Sequence, residues 1–308
     1  MKKLLMFLFA AFLVLGFAAC NGEDTTEATT EASEFQVDGE FMAFEIGEHR
    51  GAPMITSVTV TVLDGEIVEY YIDALQSDDE TFEWNEETKK ELGDEYGMVE
   101  RGGAVAEWYV QAEAIEDHWL ENGYDSVEVD DENVITNVQI DEDTDVTIKD
   151  GGYIALAAEA VQQAKDGITK AYTVSMHYGA PQVVWATLDL DENGDIEDLT
   201  IDTLQSTVDE DTFTWDDESK QEKGYDYKMH YGTYEATDET PTMDEYITWL
   251  EDNNELEWFE QVDMITDYIV ENGWETTFAV EDVDSLSDVS ITVSSYESVL
   301  QAVFTKVQ

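Results

Sequence analysis

A chain of 308 residues with 74 acidic and 13 basic side chains carries a formal charge of −61 at neutral pH. A field of that sign and size excludes nucleic acid and anionic lipid head groups as direct ligands of the surface. A single cysteine excludes a disulfide, a thiolate zinc site, a cysteine-held iron–sulfur cluster and the Cys-x-x-Cys-His attachment of haem. Yet 43% of the residues are hydrophobic and 11% aromatic, enough to build real cores, so the charge speaks of solubility and partners and not of fold.

Lys2 and Lys3 open the chain, an apolar run extends from Leu4 to Ala19, and the small residues Ala18 and Ala19 precede Cys20. The run falls short of the roughly 20 residues that a bilayer-spanning helix needs. Residues 1–19 therefore read as a cleaved signal peptide ending in a sequence that resembles a lipobox, with Cys20 the lipidation site. The mature chain is expected to begin at Cys20, anchored through lipid to the extracytoplasmic face of a bacterial cell membrane. Residues 20–37, rich in Thr and Glu, read as the lipidated cysteine and a disordered acidic tether with a random-coil reach of about 23 Å. Outside the cell, the acid excess suits a saline or alkaline medium as well as a merely solvated surface.

Beyond the tether the sequence repeats itself. Gly51-Ala52-Pro53 returns as Gly179-Ala180-Pro181, and Ile72-Asp73-Ala74-Leu75-Gln76-Ser77 returns as Ile201-Asp202-Thr203-Leu204-Gln205-Ser206. Thr81-Phe82-Glu83-Trp84 returns as Thr212-Phe213-Thr214-Trp215, and Lys89, Glu91, Tyr96 and Met98 return as Lys220, Glu222, Tyr227 and Met229. Glu107-Trp108-Tyr109-x-Gln111 matches Glu257-Trp258-Phe259-x-Gln261, and Glu121-Asn122-Gly123 matches Glu271-Asn272-Gly273. A period of about 130 to 145 residues is far longer than a solenoid repeat. Two tandem domains are expected, residues 38–166 and 167–308, the second with an acidic insertion around 233–252.

In chain order, Val58 to Val62 and Ile67 to Tyr71 alternate around Asp64-Gly65, a hairpin signature. Trp108 to Leu120 carries apolar residues at helical spacing and stops at Asn122-Gly123. A last helix closes the first copy from Tyr153 to Gln163. The second copy repeats the pattern: a hairpin of 183–190 and 196–201 around Asn193-Gly194, a helix from Trp258 to Val270 and a closing helix from Tyr296 to Val307. Sheet first and helices after predicts an α+β fold, each domain an antiparallel sheet with packed helices.

Just before each closing helix lie Asp141-Glu142-Asp143-Thr144-Asp145-Val146-Thr147 and Asp284-Ser285-Leu286-Ser287-Asp288-Val289-Ser290. With the lipobox, the tether and the segment from Thr88-Lys89-Lys90-Glu91-Leu92-Gly93 to Tyr96-Gly97-Met98, they make the chain resemble the FMN-binding domain family. Within it the likeness is to the tandem-domain lipoproteins of Gram-positive extracellular electron transfer. In that family an Asp-x-x-Ser/Thr-Gly-Ala-Thr motif has its last hydroxyl joined to FMN through a phosphodiester by an ApbE-type flavin transferase. The resemblance implies cofactor binding by Asp141, Thr144 and Thr147, and by Asp284, Ser287 and Ser290, with FMN attached at Thr147 and secondarily at Ser290. It implies an electron-transfer flavoprotein, not a substrate-specific enzyme, that takes electrons from a membrane quinol or NADH dehydrogenase donor and passes them to an extracellular acceptor.

The departures from the family motif carry a cost. Asp145 and Asp288 stand where it has glycine, and two negative charges about 6 Å apart repel by roughly 0.7 kcal/mol in water and about 2.8 kcal/mol at an effective dielectric of about 20. Lys149, two residues past Thr147, offsets this in the first copy, whereas Thr292 stands there in the second, so Thr147 is the stronger attachment site. The other reading is a surface-binding or structural lipoprotein that keeps the fold without flavin. Tyr96 with Met98, and Tyr227 with Met229, either wall a flavin or belong to the core. Asp189-x-Asp191-x-Asn193-Gly194 begins like a calcium loop, but Thr200 at its twelfth position favours a hairpin turn. His49, His118, His177 and His230 have no metal-ligand spacing.

Overall fold

The computed structural model describes residues 34–210, 212–234, 242–274, 286, 288–291 and 294–307. The signal peptide, Cys20, the tether up to residue 33, Asp284 and Ser287 lie outside the described residues.

Each repeat begins with a three-stranded antiparallel meander. In the first, β1 (Gly39–His49), β2 (Ala52–Leu63) and β3 (Glu66–Gln76) pair in sequence order, Gly39 facing Val62 and Met54 facing Gln76. Arg50-Gly51 and Asp64-Gly65 make the turns, all four at positive φ, the two-residue geometry whose twist matches that of the strands. Two short helices follow, α1 (Lys89–Leu92) and α2 (Met98–Gly102), around a tight helical turn at Gly93–Tyr96. Next comes α3 (Trp108–Asn122), then a small hairpin of β4 (Gln139–Asp141) and β5 (Thr144–Asp145), and α4 (Tyr153–Asp166).

The second repeat follows the same order. A meander of β6 (Ile168–His177), β7 (Ala180–Leu190) and β8 (Ile196–Leu204) leads to a hairpin of β9 (Ser206–Asp209) and β10 (Thr212–Trp215). Then come α5 (Lys220–Lys223), α6 (Met243–Asn253), α7 (Trp258–Asn272) and α8 (Ser294–Thr305). The fold is α+β with antiparallel sheets throughout. Among the described residues no helix is long and apolar enough to cross a membrane.

The helices lie where their apolar stripes require. In α3 the buried positions are Trp108, Gln111, Ala112, Ile115, Glu116 and Trp119, and in α7 they are Trp258, Gln261, Val262, Ile265, Thr266 and Ile269, one face of a 3.6-residue period in both. These faces build two separate cores, one per repeat. Strand β2 is buried along nearly its whole length, because α4 covers one face of its sheet and the other repeat meets the opposite face.

The repeats meet through their own equivalents. Phe44 packs on Tyr172 with ring centroids 5.2 Å apart, Phe82 on Phe213 at 5.8 Å and Trp84 on Trp215 at 6.4 Å, and each pair consists of matching positions in the two copies. A residue meets its own counterpart only across an approximate two-fold axis, so the halves pack like the subunits of an isologous dimer. Polar contacts reinforce the junction: the Thr169 hydroxyl donates to the Glu40 carbonyl at 2.7 Å, and Trp215 Nε1 donates to the Gly47 carbonyl at 3.2 Å. At the seam, Gly167 ends α4 at φ 77°, and a Cβ there would meet the Leu190 carbonyl at 2.5 Å.

Candidate functional site

The segment carrying Thr147 is extended, and its side chains alternate. Val146 and Ile148 are buried at 3% and 6% exposure, whereas Asp145, Thr147 and Lys149 face solvent on the other side. What fixes the segment is Gln111, which is fully buried on α3. Its Oε1 accepts from the Thr147 amide at 2.8 Å, the Thr147 hydroxyl at 3.2 Å and the Ile148 amide at 3.2 Å, while its Nε2 donates to the Ala106 carbonyl at 2.9 Å. The second repeat builds the same joint. Gln261 Oε1 accepts from the Ser290 amide at 2.6 Å, the Ser290 hydroxyl at 3.2 Å and the Ile291 amide at 3.1 Å, and its Nε2 donates to the Leu256 carbonyl at 2.8 Å. Thr147 and Ser290 themselves stay exposed.

Asp141 and Thr144 meet each other instead, in the exposed β4–β5 turn, and among the described residues no hydrogen bond joins either to Thr147. The Asp141 carboxylate accepts from the Asp143 amide at 2.9 Å, and this bond, followed by the Thr144 hydroxyl, holds its pKa below the ordinary carboxylate value. Asp145 accepts from Gln139 Nε2 at 3.1 Å, on the face it shares with Thr147. Lys149 lies on that face too and, among the described residues, makes no ion pair. At the N-terminus of α4 a carboxylate already accepts from the helix: Asp150 takes the Ile154 amide at 3.2 Å.

A second constellation, also duplicated, surrounds a buried lysine. Lys89, the first residue of α1, is 7% exposed and lies 5.3 Å from the Trp108 ring centroid and 5.5 Å from that of Tyr96. Lys220 repeats it at 7% exposure, 5.1 Å from Trp258 and 4.7 Å from Tyr227. Burial lowers both ammonium groups to a pKa of about 8. Asp73 and Asp202 shift the other way: burial raises their pKa, and each is held at the helix start by Thr88 or Ser219. Behind each cage a tyrosine closes the core, as where Trp258 Nε1 donates to the Tyr296 hydroxyl at 2.7 Å. Sequence reasoning missed this pair because a lysine at a helix start reads as solvated; its only signal was recurrence at equivalent positions.

Each repeat also has a cavity at the same place, and Tyr96 of the first cage lines the first of them. The first, of about 620 Å³, lies between the β1–β2 turn and the Tyr96–Gly102 segment and includes His49, Gln76 and Ser77. The second, of about 490 Å³, includes their counterparts His177, Gln205 and Ser206. Two of the four scattered histidines thus sit at matching cavity mouths, where burial, then Lys89 or Lys220, lowers their pKa. Tyr96 and Met98 border the first cavity and also touch the first core, so wall and core are the same residues here. The Asp191 carboxylate accepts from the Asn193 and Asp195 amides at 2.8 and 2.9 Å, as a hairpin turn requires. Glu107 accepts from the Met98 and Val99 amides, and buried Glu257 accepts from the Met229 amide and from the Tyr246 hydroxyl that α6, part of the acidic insertion, brings over it.

No protein-family model and no curated protein matches the chain. Among solved structures, it is similar to a solution NMR structure from Clostridium thermocellum, the Northeast Structural Genomics Consortium target CmR116. Identity is 29% over 41% of this chain and 91% of that one, with a TM-score of 0.29.

Proposed function

We propose that the protein is a membrane-anchored, extracytoplasmic flavoprotein that carries electrons from the membrane quinol pool or its oxidoreductase to extracellular acceptors, through FMN attached to Thr147 and secondarily to Ser290. The observation that supports it is the duplicated joint. In both repeats an exposed hydroxyl residue at the motif's last position is held by a buried glutamine that fixes its backbone. A flavin transferase needs such a rigid, accessible hydroxyl. Lys149, on the same face and with no carboxylate within 4.0 Å among the described residues, would offset the phosphodiester charge that Asp145 opposes. Bound flavin supplies one- and two-electron chemistry by itself, so the chain needs to hold and orient it and no more.

One observation favours the second reading, a surface-binding or structural lipoprotein without flavin. The faces of Tyr96 and Tyr227, which would wall an isoalloxazine ring, are turned toward the Lys89 and Lys220 ammonium groups. The two readings separate on protein matured in its own host, by visible spectrum, intact mass and peptide mapping. Flavin on the Thr147 peptide, lost in Thr147→Ala, is the expected result. A chain with no flavin-bearing peptide, no flavin absorbance and no affinity for added FMN refutes the proposal in favour of the second reading.

A further inference from the structure

In a chain this acidic, where the cations without a carboxylate beside them sit is informative. Among the described residues Lys90, Lys165, Lys170, Lys223, Lys228 and Lys306 each lie within 4.0 Å of an acidic side chain. Those that do not are Arg50, Lys89, Arg101, Lys149 and Lys220. Three of these five gather at the first cavity. Arg50 and Arg101, the only arginines in the sequence, both border it, and Lys89 lies beneath. Both guanidinium groups act on the Tyr96 hydroxyl, and Arg50 and Lys89 both act on His49, so the charges face one another across the same opening.

The arginines are also placed, not merely present. Arg101 donates through Nη2 to the Glu95 carbonyl at 3.0 Å and to that of Tyr96, and it lies over Gly97, where a Cβ would meet it at 2.7 Å. That anchoring uses one nitrogen and leaves the rest of the planar fork unused. Arg50 occupies a left-handed turn position, φ 57°, which Asn or Gly would fill with less strain. Of the two carboxylates at the rim, Asp78 is committed to its own turn, accepting from the Glu80 amide at 2.9 Å and from the Thr81 amide and hydroxyl at 2.8 and 3.0 Å. Those bonds stabilise the Asp78 charge, so Asp78 and Asp79 both oppose the two guanidinium groups, although neither lies within 4.0 Å of one. The second cavity differs where it matters: Tyr178 replaces Arg50, Gly232 replaces Arg101, and the nearby Lys223 is bound to Asp216 at 2.5 Å.

We propose that the first cavity is a binding site for a small anion bearing a phosphate or carboxylate group, held by the Arg50 and Arg101 guanidinium groups, and that its counterpart in the second repeat has lost this capacity. Guanidinium matches the paired oxygens of either group in a two-point fork that lysine cannot reproduce. At about 0.15 M salt, where screening acts over about 8 Å, the many distant carboxylates are muted and the local cations decide. The inference is independent of the flavin.

The test is calorimetric titration of the full chain with inorganic phosphate and, separately, with citrate, at constant ionic strength in chloride, repeated on T147A/S290A. One saturable site is expected for at least one anion, unchanged in T147A/S290A. Whichever of the two binds identifies the group recognised. R50N, which relieves the turn and should fold at least as well as the wild type, is expected to weaken binding about tenfold, and R101Q comparably. K149Q, which removes an unpaired cation elsewhere, should change it less than twofold. Absence of saturable binding by either anion overturns the proposal. So does binding that R50N and R101Q leave intact, that K149Q weakens equally, or that disappears in T147A/S290A.

Discussion

Replacing Gln111 by leucine tests whether the glutamine joint is what holds the Thr147 strand. The substitution keeps approximate volume in a site with no solvent exposure and removes four hydrogen bonds. The exposed Thr147 amide and hydroxyl regain water, so their loss costs little. The Ile148 amide belongs to a residue only 6% exposed and stays unpaired, at about 1–3 kcal/mol, and the Ala106 carbonyl loses a net bond worth about 1 kcal/mol. Q111L should therefore destabilise by about 2–4 kcal/mol. T147A removes one of three donors to an oxygen that keeps the other two, and should cost about 0.5–1 kcal/mol. Urea unfolding at unchanged slope gives both values, and amide exchange at residues 147 and 148 locates the loss. A Q111L chain within 1 kcal/mol of the wild type, or a T147A chain as damaged as Q111L, refutes the reasoning.

Three further outcomes are expected. Lys89 and Lys220 have folded pKa values of about 8 against 10.5 unfolded, so between these limits the unfolded chain holds the extra proton and stability rises with pH. The rise is at most about 3 kcal/mol per lysine before cation–π attraction offsets part of it, and K89M/K220M should flatten the curve between pH 8 and 9, before the tyrosines of the unfolded chain, with an ordinary pKa of about 10, begin to lose the protons that burial makes the folded chain keep; equal slopes for variant and wild type would count against the buried cages. Lys90 and Glu116 form a buried pair at 2.7 Å, and their counterparts in the second repeat are the neutral Gln221 and Thr266, so E116Q alone should cost about 3 kcal/mol while K90Q/E116T recovers most of it, a recovery whose absence in thermal unfolding would break the equivalence. Cys20→Ala should move the protein from the membrane to the soluble fraction, and a wild-type mass with no acyl group would end the anchor assignment.

The long helices were legible because their stripes are unambiguous: Trp108, Ala112, Ile115 and Trp119 can share a face only at helical spacing. Helix α4 runs three residues past its expected end at Gln163, because the stop is Gly167, whose left-handed conformation caps Asp166. Strands β1 and β6 did not declare themselves. Each is an edge of its meander, and each has irregular burial, since part of its outer face meets the other repeat and part meets water. The two-fold junction was equally hidden: repeat matching shows that Trp84 corresponds to Trp215 and says nothing of whether they touch. At the site, Thr147 and Ser290 could be named from the motif, but Gln111 and Gln261 could not be tied to them, being separated by 36 and 29 residues. Arg50 and Arg101 converge only because the β1–β2 turn folds over the start of α2.

An isologous junction explains how two copies could diverge in their sites without losing the fold. The contacts that hold the halves together, Phe44 with Tyr172, Phe82 with Phe213 and Trp84 with Trp215, are aromatic and lie on the sheet and hairpin faces, away from the Thr147 and Ser290 segments. The glutamine joints and lysine cages are internal to each repeat and are kept in both. What differs is charge. The first repeat carries Arg50, Arg101, Lys149 and the Lys90–Glu116 pair, where the second has Tyr178, Gly232, Thr292, Gln221 and Thr266. None of these positions belongs to the aromatic pairs of the junction, and all but the buried Lys90–Glu116 pair, which can change only together, are free to change at small cost in stability. In a molecule whose net field repels anions, concentrating the unpaired cations in one half makes that half the place where a phosphate or carboxylate group is held. Flavin attachment to Thr147 in preference to Ser290 and anion binding at Arg50 and Arg101 are therefore expected in the same repeat, for the same electrostatic reason, through different residues.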